Sequence, residues 1–206
     1  MSINEKKLIQ QIVKRSSNPE LIESAFEFAK TAYKDKFMFS GENHIFHALR
    51  VALMLEKMNL DPKTIAFGLM HDVLDDKSPV IKEVELKVIE KKFGKDIGHL
   101  IQKISELRKI RYTIETNIKT KKKFTREKLE NTKKMFLAIA GDLRVVIVEL
   151  ISRLDALKSF KNIPEERLKL QSIETLQIFV PIARRLGLNE IRRELEDISF
   201  SYLFPK

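Results

Sequence analysis

Apolar residues recur along this chain at intervals of three and four, the spacing that lines one face of an α-helix. Leu8, Ile9, Ile12 and Val13 mark a first amphipathic helix, and Leu21, Ile22, Ala25, Phe26, Phe28 and Ala29 a second. A polar stretch containing Ser40-Gly41 breaks the pattern before a helix carrying His47, Val51, Met54, Leu55 and Met58. Asp61-Pro62 then reads as an N-cap with proline at the first helical position, opening the helix that ends in His71-Asp72. Further helical stretches are predicted near Val84–Phe93, Ile97–Leu107, Arg126–Ala140 and Leu143–Leu157. Pro164 with Glu165 and Glu166 starts another, which Pro181 must kink or divide because proline brings no N–H to the ladder. Gly187 suits its C-terminal end, and a last helix runs from about Leu188 towards Tyr202. Strong strand alternation and hairpin turns are absent from the sequence. The pattern predicts an all-α bundle of roughly ten helices, with a long loop expected at residues 110–125.

Composition narrows the class without changing this picture. At 206 residues the chain can bury one sizeable core, and no compositional break divides it. Hydrophobic residues at 43% and charged residues at 33% fit a folded, soluble chain rather than a disordered one. There is no cysteine, so His and carboxylate must supply any metal ligands, and a reducing, cytoplasmic setting is expected. Neither a signal peptide nor an apolar run long enough for a membrane span is evident. The net charge of +10 favours anionic partners. Its densest cluster, Lys119 to Arg126, carries no nucleic-acid motif and reads first as a solvated segment.

Candidate chemistry concentrates at His47 and in the run from His71-Asp72 to Asp75-Asp76. Two antiparallel helices joined by the short Asn59-Leu60-Asp61 turn would bring His47, near the start of one, to His71-Asp72, at the end of the other. Two imidazoles and a carboxylate can hold one divalent cation. Asp75 and Asp76, about one turn further on, could then work on a water beside it. His47 also has a core reading, since Phe46 and Ala48 flank it, and the acidic run could be a solvated helix end. His44 lies near its helix start, at the surface or at a pocket entrance, and His99 has no carboxylate partner evident and reads as structural.

These segments resemble the HD-domain superfamily of metal-dependent phosphohydrolases and, more narrowly, the N-terminal hydrolase domain of RelA/SpoT homologues. The resemblance rests on Ala25–Lys30, Ser40-Gly41-Glu42 with Ile45 and His47, and His71-Asp72-Val73-Leu74-Asp75-Asp76. It continues through Glu130–Ala138, Asp142–Val146, Pro181–Gly187 and Glu194–Asp197. It implies an enzyme that removes the 3′-pyrophosphate from guanosine tetra- and pentaphosphate with a manganese ion. By the same resemblance, His47, His71 and Asp72 are metal ligands, and Asp75 and Asp76 orient or activate the attacking water. Ser40 and Ser159 match small hydroxyl positions beside the guanosine. Such proteins also continue into a synthetase domain; here the chain ends at Phe204-Pro205-Lys206, so a single HD-type domain over residues 1–206 is expected, with no synthetase or regulatory domain.

The departures from that pattern lie in the pocket. Where active members carry a fourth ligand, an Asp, this chain has Ser152, a poor neutral donor. Asp155, three residues on and about 60° round the helix, is the carboxylate that could substitute. Met38 and Phe39 replace basic positions, Ala156 replaces an asparagine, and Asp75 is one methylene shorter than the usual Glu. Two readings therefore stand side by side. One is a weakened phosphohydrolase acting on a guanosine nucleotide or another phosphorylated small molecule. The other is a degenerate HD-fold module that binds nucleotide or a regulatory partner without turnover. A helical nucleic-acid binder using the net charge is a more distant third.

Overall fold

Side-chain caps at Asn18, Asn43, Asp61 and Asp142 open helices in the computed structural model, which describes residues 3–38, 40–74, 85–119, 141–159 and 163–205. The chain divides into two compact units, Met1–Ser105 and Glu106–Lys206. The first holds α1 (Ile3–Arg15), α2 (Pro19–Ala32), α3 (His44–Lys57), α4 (Pro62–Met70) and α5 (Leu86–Phe93). It also contains the beginning of α6 (Lys95–Lys119), whose end belongs to the second unit. The expected start of α4 is borne out. Asp61 accepts from the amides of Lys63 and Thr64, with Pro62 at the first helical position.

The turn between α3 and α4 is closed by backbone chemistry alone. Asn59 takes a left-handed φ of 57°, its N–H donates to Glu56 O, and Leu60 N–H donates to Leu55 O. These two bonds satisfy carbonyls that the end of a helix would otherwise strand. α3 and α4 pack on each other, α4 also packs on α2, and α1 packs on α2 and α3. α4 is thus enclosed, with every residue from Thr64 to Met70 buried. Fully buried Leu55, Phe67 and Met70 each stabilise this unit by about 1.5–3 kcal/mol. Gly68 permits the close α3–α4 approach, because a Cβ there would meet Leu55 Cδ1 at 2.3 Å.

The second unit contains α7 (Leu143–Lys158), α8 (Glu165–Glu174), a π-helical turn (Thr175–Phe179), α9 (Val180–Arg185) and α10 (Asn189–Leu203). α10 packs on α7, α8, α9 and the π turn. Pro181 neither breaks nor splits its helix outright. The chain widens beforehand into the π turn, where Val180 N–H donates to Thr175 O, five residues back. Gly187, at φ +70°, ends α9 in the expected place; Gly187 N–H donates to Arg184 O and Leu188 N–H to Ala183 O.

α7 is buried on nearly all sides from Val145 to Asp155. Two of its interior charges, Glu149 and Arg153, are paired within the unit. Arg108 Nε donates to Glu149 Oε2 at 3.2 Å, and Arg153 Nη2 to Glu174 Oε2 at 2.5 Å. The Arg153 guanidinium also lies 4.4 Å from the centre of the Phe179 ring, a stacking contact suited to a planar cation.

One expectation needs correction: residues 110–119 are not loop but the continuation of α6. Polarity prompted the loop reading, yet Arg108 to Lys119 holds neither Gly nor Pro, and its Lys, Arg and Glu are good helix formers. The predicted Arg126–Ala140 helix and most of the Lys119–Arg126 cluster lie outside the described residues. Among the described residues no helix is long and apolar enough to cross a membrane.

Two substitutions check this account. Gly68→Val should destabilise the protein by about 1–3 kcal/mol through overpacking against Leu55; a urea midpoint equal to that of the parent protein would contradict the close-approach role. Glu174→Ala should cost about 3–5 kcal/mol by stranding the buried Arg153 guanidinium, and adding Arg153→Met should recover much of that loss. Calorimetry of the single and double variants reads both outcomes.

Candidate metal centre

The first unit gathers its histidines around one carboxylate. α3 begins at His44, capped by Asn43, whose side chain accepts from Ile45 N–H. His47 follows one turn later, so residues 44 and 47 share a face of the helix. Both imidazoles are buried, as are His71 and Asp72, which follow directly after α4. Three ring nitrogens face Asp72 Oδ2: Nε2 of His44 at 2.5 Å, of His71 at 3.4 Å and of His47 at 4.0 Å. The rings of His44 and His47 are 5.3 Å apart, and those of His47 and His71 are 5.2 Å apart.

The orientation of His71 is set by its own helix. Its Nδ1 lies 2.6 Å from Gly68 O. A carbonyl can only accept, so Nδ1 carries the proton, and the ring in its neutral form has its lone pair at Nε2. Carbonyl-anchored imidazoles of this kind are how proteins hold metal-ligating histidines in one tautomer.

The donor set fits a divalent cation. Two ligand atoms about 2.1 Å from one ion are roughly 3–3.5 Å apart, close to the 3.4 and 4.0 Å separations of His71 and His47 from Asp72 Oδ2. One donor atom each from His44, His47 and Asp72 lies within 4.8 Å of the others. Imidazole and carboxylate together accommodate first-row divalent ions.

Tyr33, immediately after α2 and fully buried, fixes the turn that carries the doublet. Its hydroxyl donates to Leu69 O at 3.2 Å and accepts from Asp72 N–H at 3.0 Å, while its ring packs edge-on against His44, 4.8 Å between centres. Lys36 Nζ reaches Asp72 O at 3.4 Å and lies over the Tyr33 ring. A small hairpin then leads into α3. Phe37 bridges Asn43, Met38 N–H donates to Glu42 O, and His44 N–H donates to Lys36 O. Glu42 accepts a two-pronged bond from Arg50 at 2.8 and 2.7 Å, tying the hairpin to α3.

His47, His71 and Asp72 thus converge as expected from sequence. His44, expected at the surface or at a pocket entrance, is instead buried against Asp72. Its three-residue spacing from His47 already placed it on the same face. Tyr33 was not anticipated, although it continues the Ile22, Phe26, Ala29 stripe of α2. His99 is exposed on α6. Ser40 is half-buried in the hairpin, with its Oγ shielded from solvent and without a hydrogen-bond partner among the described residues. Ser152 and Asp155 are buried on α7 in the second unit, and Ser159 follows that helix, its hydroxyl donating to Asp155 O. Asp75, Asp76 and Phe39 lie outside the described residues.

Comparison with known proteins adds a lineage to this geometry. The family model described as "HD domain" matches residues 25–189. The chain is 36% identical over 187 residues to a guanosine-3′,5′-bis(diphosphate) 3′-pyrophosphohydrolase of Aquifex aeolicus, covering 91% of this chain and 24% of that protein. It is 32% identical over 187 residues to a GTP pyrophosphokinase of Myxococcus xanthus, covering 91% and 23%. A second 3′-pyrophosphohydrolase, from Spiroplasma citri, is 32% identical over 197 residues, covering 96% and 24%. The chain therefore spans about a quarter of the length of these curated relatives. A solved structure titled as a metazoan ortholog of SpoT that hydrolyses ppGpp superposes with a TM-score of 0.57 at 16% identity, covering 90% of this chain and 96% of that one. At that identity the likeness is one of fold.

Tyr33→Phe should leave the Asp72 amide without its buried acceptor and cost about 1–3 kcal/mol. Faster hydrogen exchange at the Asp72 amide, with α1 unaffected, is the expected signature; unchanged protection there would remove Tyr33 from this role.

Proposed function

The chain belongs to the HD-domain family, and on that premise we propose that it hydrolyses a phosphate ester with a divalent cation held by His47, His71 and Asp72. The observation that carries this reading is the convergence of two imidazoles on one buried carboxylate, with His71 held by Gly68 O so that Nε2 points its lone pair inward. Similarity to the 3′-pyrophosphohydrolases makes guanosine tetra- and pentaphosphate the first substrates to try, and manganese the first ion. The match of the family model across residues 25–189 supports reading the chain as one HD-type domain.

When bound, the cation supplies Lewis acidity to a water and to a phosphoryl oxygen. The chain's own residues do the rest. His71 and Asp72 are held in place by the Gly68 carbonyl and the Tyr33 hydroxyl before any ligand arrives, so little reorganisation is needed. Burial of all three ligands strengthens their hold on a cation by excluding competing water. Asp75 and Asp76, adjacent in sequence to the doublet, are proposed to orient the attacking water and take its proton. Ser40, whose shielded Oγ has no partner among the described residues, is proposed to face the guanosine. From the sequence resemblance alone, Ser159 joins it, Asp155 is a further carboxylate donor, and Ser152 in place of a ligand weakens turnover.

The test is chromatographic turnover of guanosine tetraphosphate with added manganese, using the parent protein and the His71→Ala and Asp72→Ala variants. Production of GDP and pyrophosphate that depends on manganese and falls at least 100-fold in both variants is expected, since losing a ligand should exceed the roughly 10–100-fold cost of losing a partner behind one. No turnover by folded protein at high concentration would sink the alarmone-hydrolase reading and favour the degenerate, nucleotide-binding module.

A further inference from the structure

The geometry points to His44 as a third imidazole ligand of the metal centre, beside His47, His71 and Asp72. This inference rests on the centre proposed above and deepens it, because it fixes which class of cation the site prefers. Of the three imidazoles, His44 approaches Asp72 Oδ2 most closely, at 2.5 Å against 3.4 Å for His71 and 4.0 Å for His47. Its donor atom and those of His47 and Asp72 all lie within 4.8 Å of one another.

The position of His44 is built rather than incidental. Asn43 caps the helix that starts with it, its backbone N–H donates to Lys36 O at 2.8 Å, and the Tyr33 ring backs its imidazole edge-on. Those contacts aim Nε2 at Asp72 from a buried position, with only 6% of the residue exposed. Without an ion, a carboxylate and a ring N–H at 2.5 Å form a hydrogen bond. Admitting a shared cation requires the two atoms to separate by about 0.5–1 Å, a displacement that rotation of the terminal ring can supply.

Ligand type then decides selectivity. Manganese and magnesium favour sites rich in carboxylate and water, whereas zinc, cobalt and iron accept imidazole readily. A third nitrogen moves this centre towards the latter group. The site should bind cobalt or zinc much more tightly than manganese, and His44 should account for a large part of that difference.

His44→Gln is the informative variant, because the amide can still donate to Asp72 while the imidazole is gone. Affinities for Co2+, Zn2+ and Mn2+ are measured by calorimetry on the parent protein, His44→Gln and His71→Ala, each checked for an unchanged melting curve. The imidazole N–H protons shifted by bound Co2+ are counted by NMR. Expected are three shifted resonances in the parent and two in His44→Gln, with at least a 10-fold loss of Co2+ and Zn2+ affinity and a smaller change for Mn2+. If His71→Ala loses the metal while His44→Gln retains parental affinity and the parent shows only two resonances, the His44 assignment is overturned and the metal centre stands. If the folded parent binds none of the three ions, both proposals fall.

Discussion

A carboxylate taken out of water must be met by donors or by positive charge, and the first unit is arranged around one such carboxylate, Asp72. Its backbone N–H goes to the Tyr33 hydroxyl, its carbonyl to Lys36, and Oδ2 to the imidazole face made by α3 and the end of α4. Each of those partners comes from a different segment. Satisfying Asp72 therefore requires α2, the 36–43 hairpin, α3 and α4 to assemble in one register. The fold of this unit and the geometry of its candidate centre express the same constraint, since the contacts that stabilise the buried charge are those that organise the ligands.

Close packing makes that assembly feasible. Gly68 lets α4 lie against α3 with Leu55 Cδ1 where a side chain would otherwise stand, and the same residue lends its carbonyl to His71 Nδ1. Its two uses are separate in chemistry but not in position. A larger residue at 68 would have to displace the buried Leu55 methyl, beside the carbonyl that fixes the His71 tautomer. The expected loss would be one of packing and of ligand orientation together.

Much of this was legible in the sequence, and the parts that were not have identifiable reasons. Asp61-Pro62 and Gly187 act through local backbone chemistry, so their roles followed from residue type alone. The approach of His47 to His71-Asp72 followed from a short turn between two helices. The burial of His44 depends on the hairpin before α3, held by the Phe37–Asn43 bridge and the Arg50–Glu42 fork, which no periodicity reports. The role of Tyr33 does not follow from its residue type, since its hydroxyl partners, Leu69 O and Asp72 N, are more than thirty residues away along the chain. The end of α6 is the opposite case: residues 110–119 are polar enough to resemble a loop, yet they contain neither Gly nor Pro to stop a helix.

Buried charge alone does not mark a functional site, and the second unit provides the comparison. Arg153 with Glu174 and Arg108 with Glu149 are as deeply enclosed as Asp72, yet each pairs a carboxylate with a guanidinium, a cation that cannot give up its proton to accept a metal. Those pairs tie α7 to its neighbours and stabilise packing around it. Asp72 is matched instead with imidazoles, which can donate a proton to it or offer a lone pair to a cation beside it. That difference in the partner, rather than burial or charge, separates an internal ion pair from a place where a metal can sit. It is also why a nitrogen ligand such as His44 is the kind of residue this setting can recruit, where replacing it by arginine would keep the hydrogen bond and close the centre to any cation.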